Sequence, residues 1–146
     1  MATEGSLYDR LGGTDAITAV VRAVVDRQLK DDRINRKFAR TNRDRLIKEF
    51  VDQICQATGG PCKYTGRNMT ETHHNMGVTN GEFQAFVEDV VAVLNDFKVG
   101  ATEQDELLNI LAPLREEIVE VDSDQTGTPL PSEFNPAPAL SAAQRH

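Results

Sequence analysis

The sequence predicts an all-α chain, and three observations carry that class. Apolar residues recur at spacings of three and four in several long segments. These segments are bounded by capping residues or glycine, and no strand-like alternation is sustained. A chain of 146 residues fits one domain, long enough to bury a core of several packed helices.

Ser6 to Leu11 reads as a short helix ended by Gly12 and Gly13. Thr14 is the candidate N-cap of a helix reaching about Lys30, with Ile17, Val20, Val21, Val24, Val25 and Leu29 as its buried stripe. Valine is a poor helix former locally, so the period decides here, not the propensity. Asp31 and Asp32, then Ile34 to Phe38, read as a short, tight helical turn. Thr41 or Asn42 can cap the next helix, which reaches about Thr58 and buries Leu46, Ile47, Phe50, Val51, Ile54 and Cys55. Gln53 lies on or beside that face, three beyond Phe50 and seven beyond Leu46.

Gly59-Gly60-Pro61 ends this helix, because glycine admits a left-handed cap and proline cannot continue a helix. Residues from Gly59 to Asn68 read as irregular, and Thr70 to Asn75 as one helical turn carrying His73. Thr79-Asn80-Gly81-Glu82 matches a capping box. Behind it Phe83, Phe86, Val87, Val90, Val91, Leu94 and Phe97 make the strongest amphipathic pattern of the chain. Gly100 closes that helix, and Thr102 caps a last one with Leu107, Leu108, Ile110, Leu111, Leu114, Ile118 and Val119, kinked or broken at Pro113. Four of the six prolines lie between Asp122 and His146. Hence the expectation is a folded domain over 1–121 and a Pro-rich, disordered tail over 122–146, too poor in apolar surface to offset its ordering entropy.

Composition excludes some functions. The net charge of −7, from 23 acidic and 16 basic side chains, argues against a nucleic-acid or anionic-membrane partner. No run approaches the ~18 consecutive apolar residues of a membrane span. Met1 to Ser6 lacks the basic and apolar regions of a signal peptide, so a cytoplasmic setting is expected. In that setting Cys55 and Cys62 read as reduced thiols, with a disulfide clamping the Gly-Gly-Pro turn as the alternative.

Met69 and His73 stand four apart, so one helical turn puts both on the same side. A histidine on a short turn, facing a pocket made by other helices, can ligate a metal or a haem iron, although a packed or solvated histidine is the commoner case. His74 cannot aim at the same iron, because one residue rotates a helix by about 100 degrees. It reads as solvent-facing or near a propionate, and Glu71 could join it only in a surface metal site. Gly12-Gly13 follows no strand and is no dinucleotide fingerprint, and neither CxxC nor CxxCH occurs.

The ordered set Leu7-Tyr8-Asp9-Arg10-Leu11-Gly12-Gly13, Gly59-Gly60-Pro61, Tyr64-Thr65-Gly66-Arg67, Met69 and His73 resembles the group I truncated haemoglobins, from about Ser6 to about Val121. The resemblance implies the short two-over-two globin sandwich and a haem b iron ligated by His73. Without CxxCH, and with no His or Cys in the last helix, the haem is expected to be held non-covalently. Phe38 matches the phenylalanine that packs flat on the haem, and Lys63, Tyr64 and Arg67 lie where propionates would be met. Val25, Leu46, Phe50, Ile54, Met69, Val78, Phe83, Val87, Leu107 and Leu111 are the expected apolar lining. Periodicity alone cannot separate such a lining from ordinary core, since both demand the same residues.

On the distal side the chain departs from the family. Relatives often carry Tyr where Val25 stands, and Gln, His or Lys at the positions of Leu46, Glu49 or Phe50. Gln53 first, and Gln28 second, are then the polar groups expected to reach a bound gas. The implied function is reversible binding of O₂, CO or NO, with oxidation of NO by O₂, supported by a reductase, as a catalytic extension. The alternatives are a gas or redox sensor signalling through Cys55, Cys62 or the tail to a protein partner, and a helical interaction domain without cofactor.

Overall fold

The computed structural model describes residues 5–65, 69–132 and 134, with the side chain of Glu71 left out. Helix α1 spans Leu7–Leu11, with the Ser6 side chain accepting from the Asp9 N–H at 3.2 Å. Gly12 ends it at φ 105°, a left-handed conformation that glycine adopts without strain. Helix α2, Gly13–Lys30, follows at once, so Thr14 lies inside its first turn instead of capping it. The Tyr8 hydroxyl takes over the cap's work. It accepts from the Thr14 N–H at 3.1 Å and shares a hydrogen bond with Thr14 Oγ1 at 2.6 Å.

A 3₁₀ turn, Asn35–Phe38, leads to α3, Arg43–Ala57, where Asn42 Oδ1 accepts from the Arg45 N–H at 2.9 Å. Helix α4 is the single turn Met69–His73, and α5 spans Asn80–Asp96. The capping box of α5 is complete: Thr79 Oγ1 accepts from the Glu82 N–H at 3.0 Å, and Glu82 Oε1 accepts from the Thr79 N–H at 3.1 Å. Helix α6, Ala101–Leu111, starts directly after Gly100, one residue ahead of the expected Thr102 cap. Pro113 produces the expected break, since α6 gives way to a 3₁₀ turn, Ala112–Leu114, and then to α7, Arg115–Ile118.

Helices α2 and α3 pair, α5 and α6 pair, and α2 also packs on α5, giving two layers of two. The core between them is Ile17, Val21, Val24 and Val25 of α2, Ile47, Val51 and Ile54 of α3, Val90, Val93 and Leu94 of α5, and Leu107 and Leu111 of α6. The valines lower the intrinsic helicity of α2, but each fully buried one contributes about 1.5–3 kcal/mol of transfer free energy, which outweighs the few tenths lost in propensity. A second cluster, Met76, Val78, Phe83, Ile118 and Phe134, lies beside the first.

The two cysteines are bonded, with Cα atoms 5.6 Å apart, so the expectation of reduced thiols gives way to the disulfide alternative. The turn explains it: Gly59 at φ 95° folds the chain back, and the Gly60 N–H donates to Cys55 O at 2.8 Å, bringing Cys62 beside the end of α3. Such bonds are uncommon in a reducing cytosol. No helix of the described residues is long and apolar enough to cross a membrane.

Regular helix stops at Ile118, close to the expected boundary at Val121, and the described residues beyond Val121 form neither helix nor strand. They nevertheless lie against the helices as a strap. Gly81 N–H donates to Ser123 O at 3.1 Å, Gly127 N–H to Arg33 O at 2.6 Å, and Thr128 N–H to Glu82 Oε2 at 2.8 Å. A few well-placed polar anchors make these contacts where apolar area is scarce. The expected tail beyond Phe134 lies outside the described residues.

On the far side of α5, Asp89 is buried, its side chain 3% exposed. Its Oδ1 accepts from Arg27 Nε at 3.2 Å and lies 3.8 Å from Arg33, while its Oδ2 has no hydrogen-bond partner among the described residues. Burial first, and then the neighbouring Asp31 carboxylate, push Asp89 up to about 6. Asp31 moves the other way, held well below the usual carboxylate range by the Arg33 guanidinium.

Two outcomes are expected. Thr79→Ala removes one half of the capping box and should lower unfolding stability by about 1–2 kcal/mol, read from urea titration. An unchanged midpoint would mean that Glu82 alone holds the helix start. For Asp89, the folded value lies above the unfolded one, so the cost of burying the charge is present above pH 6 and is relieved as pH falls from about 6 towards 4. Stability lost through Asp31 begins only below that window. Asp89→Asn should therefore raise the urea midpoint at pH 7.5 and flatten its rise between pH 7 and pH 4. A variant with the wild-type slope would show that Asp89 does not bind the proton.

Candidate functional site

The turn Asn35–Phe38, the inner face of α3, α4, the start of α5 and the α6–α7 break surround a cavity of about 200 Å³. Helical spacing gathers its apolar wall. Leu46 and Phe50 are four apart on α3, with Gln53 three further on, and all three line the cavity. Phe38 enters from the turn, Met69 from α4, Val78 and Phe83 from the start of α5, and Leu111 from the end of α6. Phe86 connects two of these walls, its ring centroid 6.1 Å from that of Phe50 and 5.7 Å from that of Phe83. Each of the expected lining residues just named thus meets the same space.

His73 also lines the cavity and is half-buried. Its Nδ1 lies 2.9 Å from the Met69 carbonyl oxygen, one turn back on α4. A carbonyl only accepts, so Nδ1 carries the proton; in the neutral ring the lone pair is then on Nε2, the tautomer in which a histidine can ligate a metal. His74 points to solvent, 70% exposed, with Nδ1 3.8 Å from Glu120 Oε2. Among the described residues no group of three His, Cys, Asp or Glu side chains could hold a bare metal ion.

Several expected lining residues stand elsewhere. Val25, fully buried, Ile54 and Leu107 belong to the interhelical core. The reason is packing: α3 and α5 occupy both apolar flanks of α2, so this helix reaches the cavity only at Gln28. Val87 is partly buried against the second cluster without lining the cavity. Lys63 is exposed, whereas Tyr64 lines the cavity and its N–H donates to Gln56 Oε1 at 2.7 Å. Arg67 lies outside the described residues.

The cavity also holds polar groups that helical periodicity does not single out. Gln28 is only 2% exposed. Arg45 and Glu49 pair one turn apart on α3, with Nε and Oε1 2.6 Å apart. Lys37 and Glu82 are both buried, 3.6 Å apart, and burial lowers the Lys37 pKa from its ordinary value. Glu82 was visible in the sequence as a capping residue, but nothing local marked Lys37 or Phe134 as pocket residues. They arrive there through contacts between segments distant in the chain.

Residues 6–120 match the family described as bacterial-like globin. A group 1 truncated haemoglobin of Mycolicibacterium paratuberculosis is 34% identical over 117 residues, covering 80% of this chain and 86% of that protein. The crystal structure of the Tetrahymena pyriformis truncated haemoglobin in its Fe(III) form superposes with a TM-score of 0.75 at 30% identity, over 79% of this chain and 98% of the other. A two-over-two haemoglobin from a Synechococcus species, described with covalently attached haem, gives a TM-score of 0.75 at 29% identity, over 79% of this chain and 98% of the other.

Proposed function

Since this chain belongs to the bacterial-like globins and, among them, to the group 1 truncated haemoglobins, and is therefore a haem-binding protein, we propose that it binds O₂ reversibly, and CO and NO likewise, with His73 as the iron ligand. The observation that carries the reading is the Met69–His73 turn: a half-buried imidazole lining an apolar cavity, its Nδ1 proton donated to a backbone carbonyl. The residues fit a haem. Phenylalanine, leucine, valine and methionine side chains suit the apolar ring, and Tyr64 and Arg45 offer polar groups for its carboxylates. When bound, the group supplies a ferrous iron that takes up diatomic gases.

The protein's part is then to hold, orient and exclude. Phe38, Phe50 and Phe83 line the cavity and would pack against the apolar ring and keep water out. The Met69 carbonyl fixes the ring orientation of His73 and raises its basicity. A non-covalent attachment is supported by the Cys55–Cys62 bond, which leaves neither thiol available, and by the lack of His and Cys in α6 and α7. Oxidation of NO by O₂ would be a secondary activity of the same site and would need a reductase.

The distal donor is a glutamine. Of the two candidates, Gln28 is the more buried, whereas Gln53 is half-exposed, and an amide buried in an apolar cavity costs about 1–3 kcal/mol until it finds a partner. A diatomic ligand carrying partial negative charge is such a partner. The redox-sensing alternative gains support from the Cys55–Cys62 bond, which closes the loop leading from α3, with its cavity-facing Leu46, Phe50 and Gln53, to Tyr64.

Two measurements test the reading. His73→Gly should keep the helical circular dichroism and lose the five-coordinate ferrous spectrum, and added imidazole should partly restore it. Retention of the wild-type iron–histidine Raman stretch would sink the assignment, with His74→Ala as the control. Gln28→Leu should speed O₂ dissociation about tenfold, a change of ~1.4 kcal/mol, with far less effect on CO. A large effect of Gln53→Leu in place of Gln28→Leu would transfer the donor's role to α3. Equal, small changes for both gases in both variants would mean that neither amide meets the ligand.

A further inference from the structure

The family match ends at residue 120, yet a side chain from beyond it stands in the cavity wall. Phe134 is 4% exposed and packs in one cluster with Met76, Val78, Phe83 and Ile118, against which Met69 also rests. We infer that the segment 123–132 together with Phe134 is a working wall of the haem pocket on the side of Met69, with Phe134 as its apolar contact and the buried Lys37–Glu82 pair as its latch, so that this strap sets how fast haem is lost. The inference rests on the haem reading above.

The latch is built from charges that cannot reach water. Lys37 Nζ, its side chain 4% exposed, donates to Met76 O at 3.0 Å, Gly77 O at 3.1 Å and, from the strap, Pro129 O at 3.1 Å. Glu82, its side chain 1% exposed, accepts from the strap's Thr128 twice, from N–H at 2.8 Å and from Oγ1 at 2.7 Å. Lifting the strap would remove one hydrogen bond from a buried ammonium and two from a buried carboxylate. Leaving buried charges short of partners is costly, so the strap closes even though its apolar contribution is small.

Further contacts seat the rest of the strap. The Arg40 guanidinium donates to Pro131 O at 2.7 Å and stands 5.8 Å from the centroid of the Phe134 ring. Thr79 Oγ1 donates to Gln125 O, tying the strap to the cap of α5. At Gly81 the strap passes so close that a Cβ would lie 2.3 Å from Asp124 O, so a larger residue there would push the strap off the helix. Turn, helix start and strap thus meet at one buried carboxylate beside the cavity.

The test uses the full chain loaded with haemin. Transfer of haemin to an excess of apomyoglobin should be about tenfold faster for Phe134→Ala than for the wild type, while Phe134→Leu, which keeps apolar bulk, stays near wild type. Thr128→Val, which removes one latch hydrogen bond, should also accelerate the loss. A Phe134→Ala rate within twofold of wild type would overturn the inference. In the haem-free protein, Phe134→Ala should raise the fluorescence of an apolar dye taken up by the cavity, and no rise would count equally against the wall. A wild-type chain that takes up no haemin would overturn the haem reading instead, and the dye measurement would still decide the fate of the strap.

Discussion

One carboxylate joins three parts of this molecule that are far apart in the chain. Glu82 completes the cap of α5 through the Thr79 N–H, neutralises Lys37 from the Asn35–Phe38 turn, and accepts twice from Thr128 of the strap. All of this happens beneath the surface, where each unmet bond would leave a charge exposed to low dielectric. The start of α5 is consequently held at one place, and with it Val78, Phe83 and Phe86, which make one wall of the cavity. The fold around the cavity therefore depends on a polar interaction, while the opposite side depends on apolar packing between α2, α3 and α5.

These two kinds of support divide the molecule. Where valines, isoleucines and leucines interlock, only a void of about 20 Å³ is left beside Ile54 and Leu107, and Val25, Ile54 and Leu107 became core even though the family pattern placed them at the haem. Where short elements meet at turns, the 3₁₀ turn, α4 and the break at Pro113, the walls stand apart and a cavity opens. Among the described residues, the cavity on that second side is where a large apolar group has room. His73 sits there at the end of α4, a single turn that packs on α7 at the edge of the cavity.

The Cys55–Cys62 bond and the Asp89 cluster add constraints at the end of α3 and in the middle of α5. The disulfide fixes the exit of α3, whose inner face carries Leu46, Phe50 and Gln53. Asp89 ties the middle of α5 to Arg27 of α2 and lies near Arg33, whose carbonyl receives the Gly127 N–H of the strap. The helices that frame the pocket are thus held by covalent, ionic and apolar links at different points.

The sequence by itself determined the helices, because their signals are local: a capping box at Thr79–Glu82, an apolar stripe over α5, and a proline that ends α6 can each be read within a few residues. It also marked His73, since residues four apart share a side of any helical turn and the surrounding motifs matched a family in order and separation. Only the tertiary structure decided which apolar side chains line the cavity and which become core, because both obey the same period and differ only in what packs opposite them. The same holds for Lys37 and Phe134. Lys37 is met by residues 39 to 92 positions away, and Phe134, from a segment poor in apolar residues, packs on Met76, Val78, Phe83 and Ile118. Burial of a charge or of a tail residue is a property of the assembled chain, and no local pattern of residues encodes it.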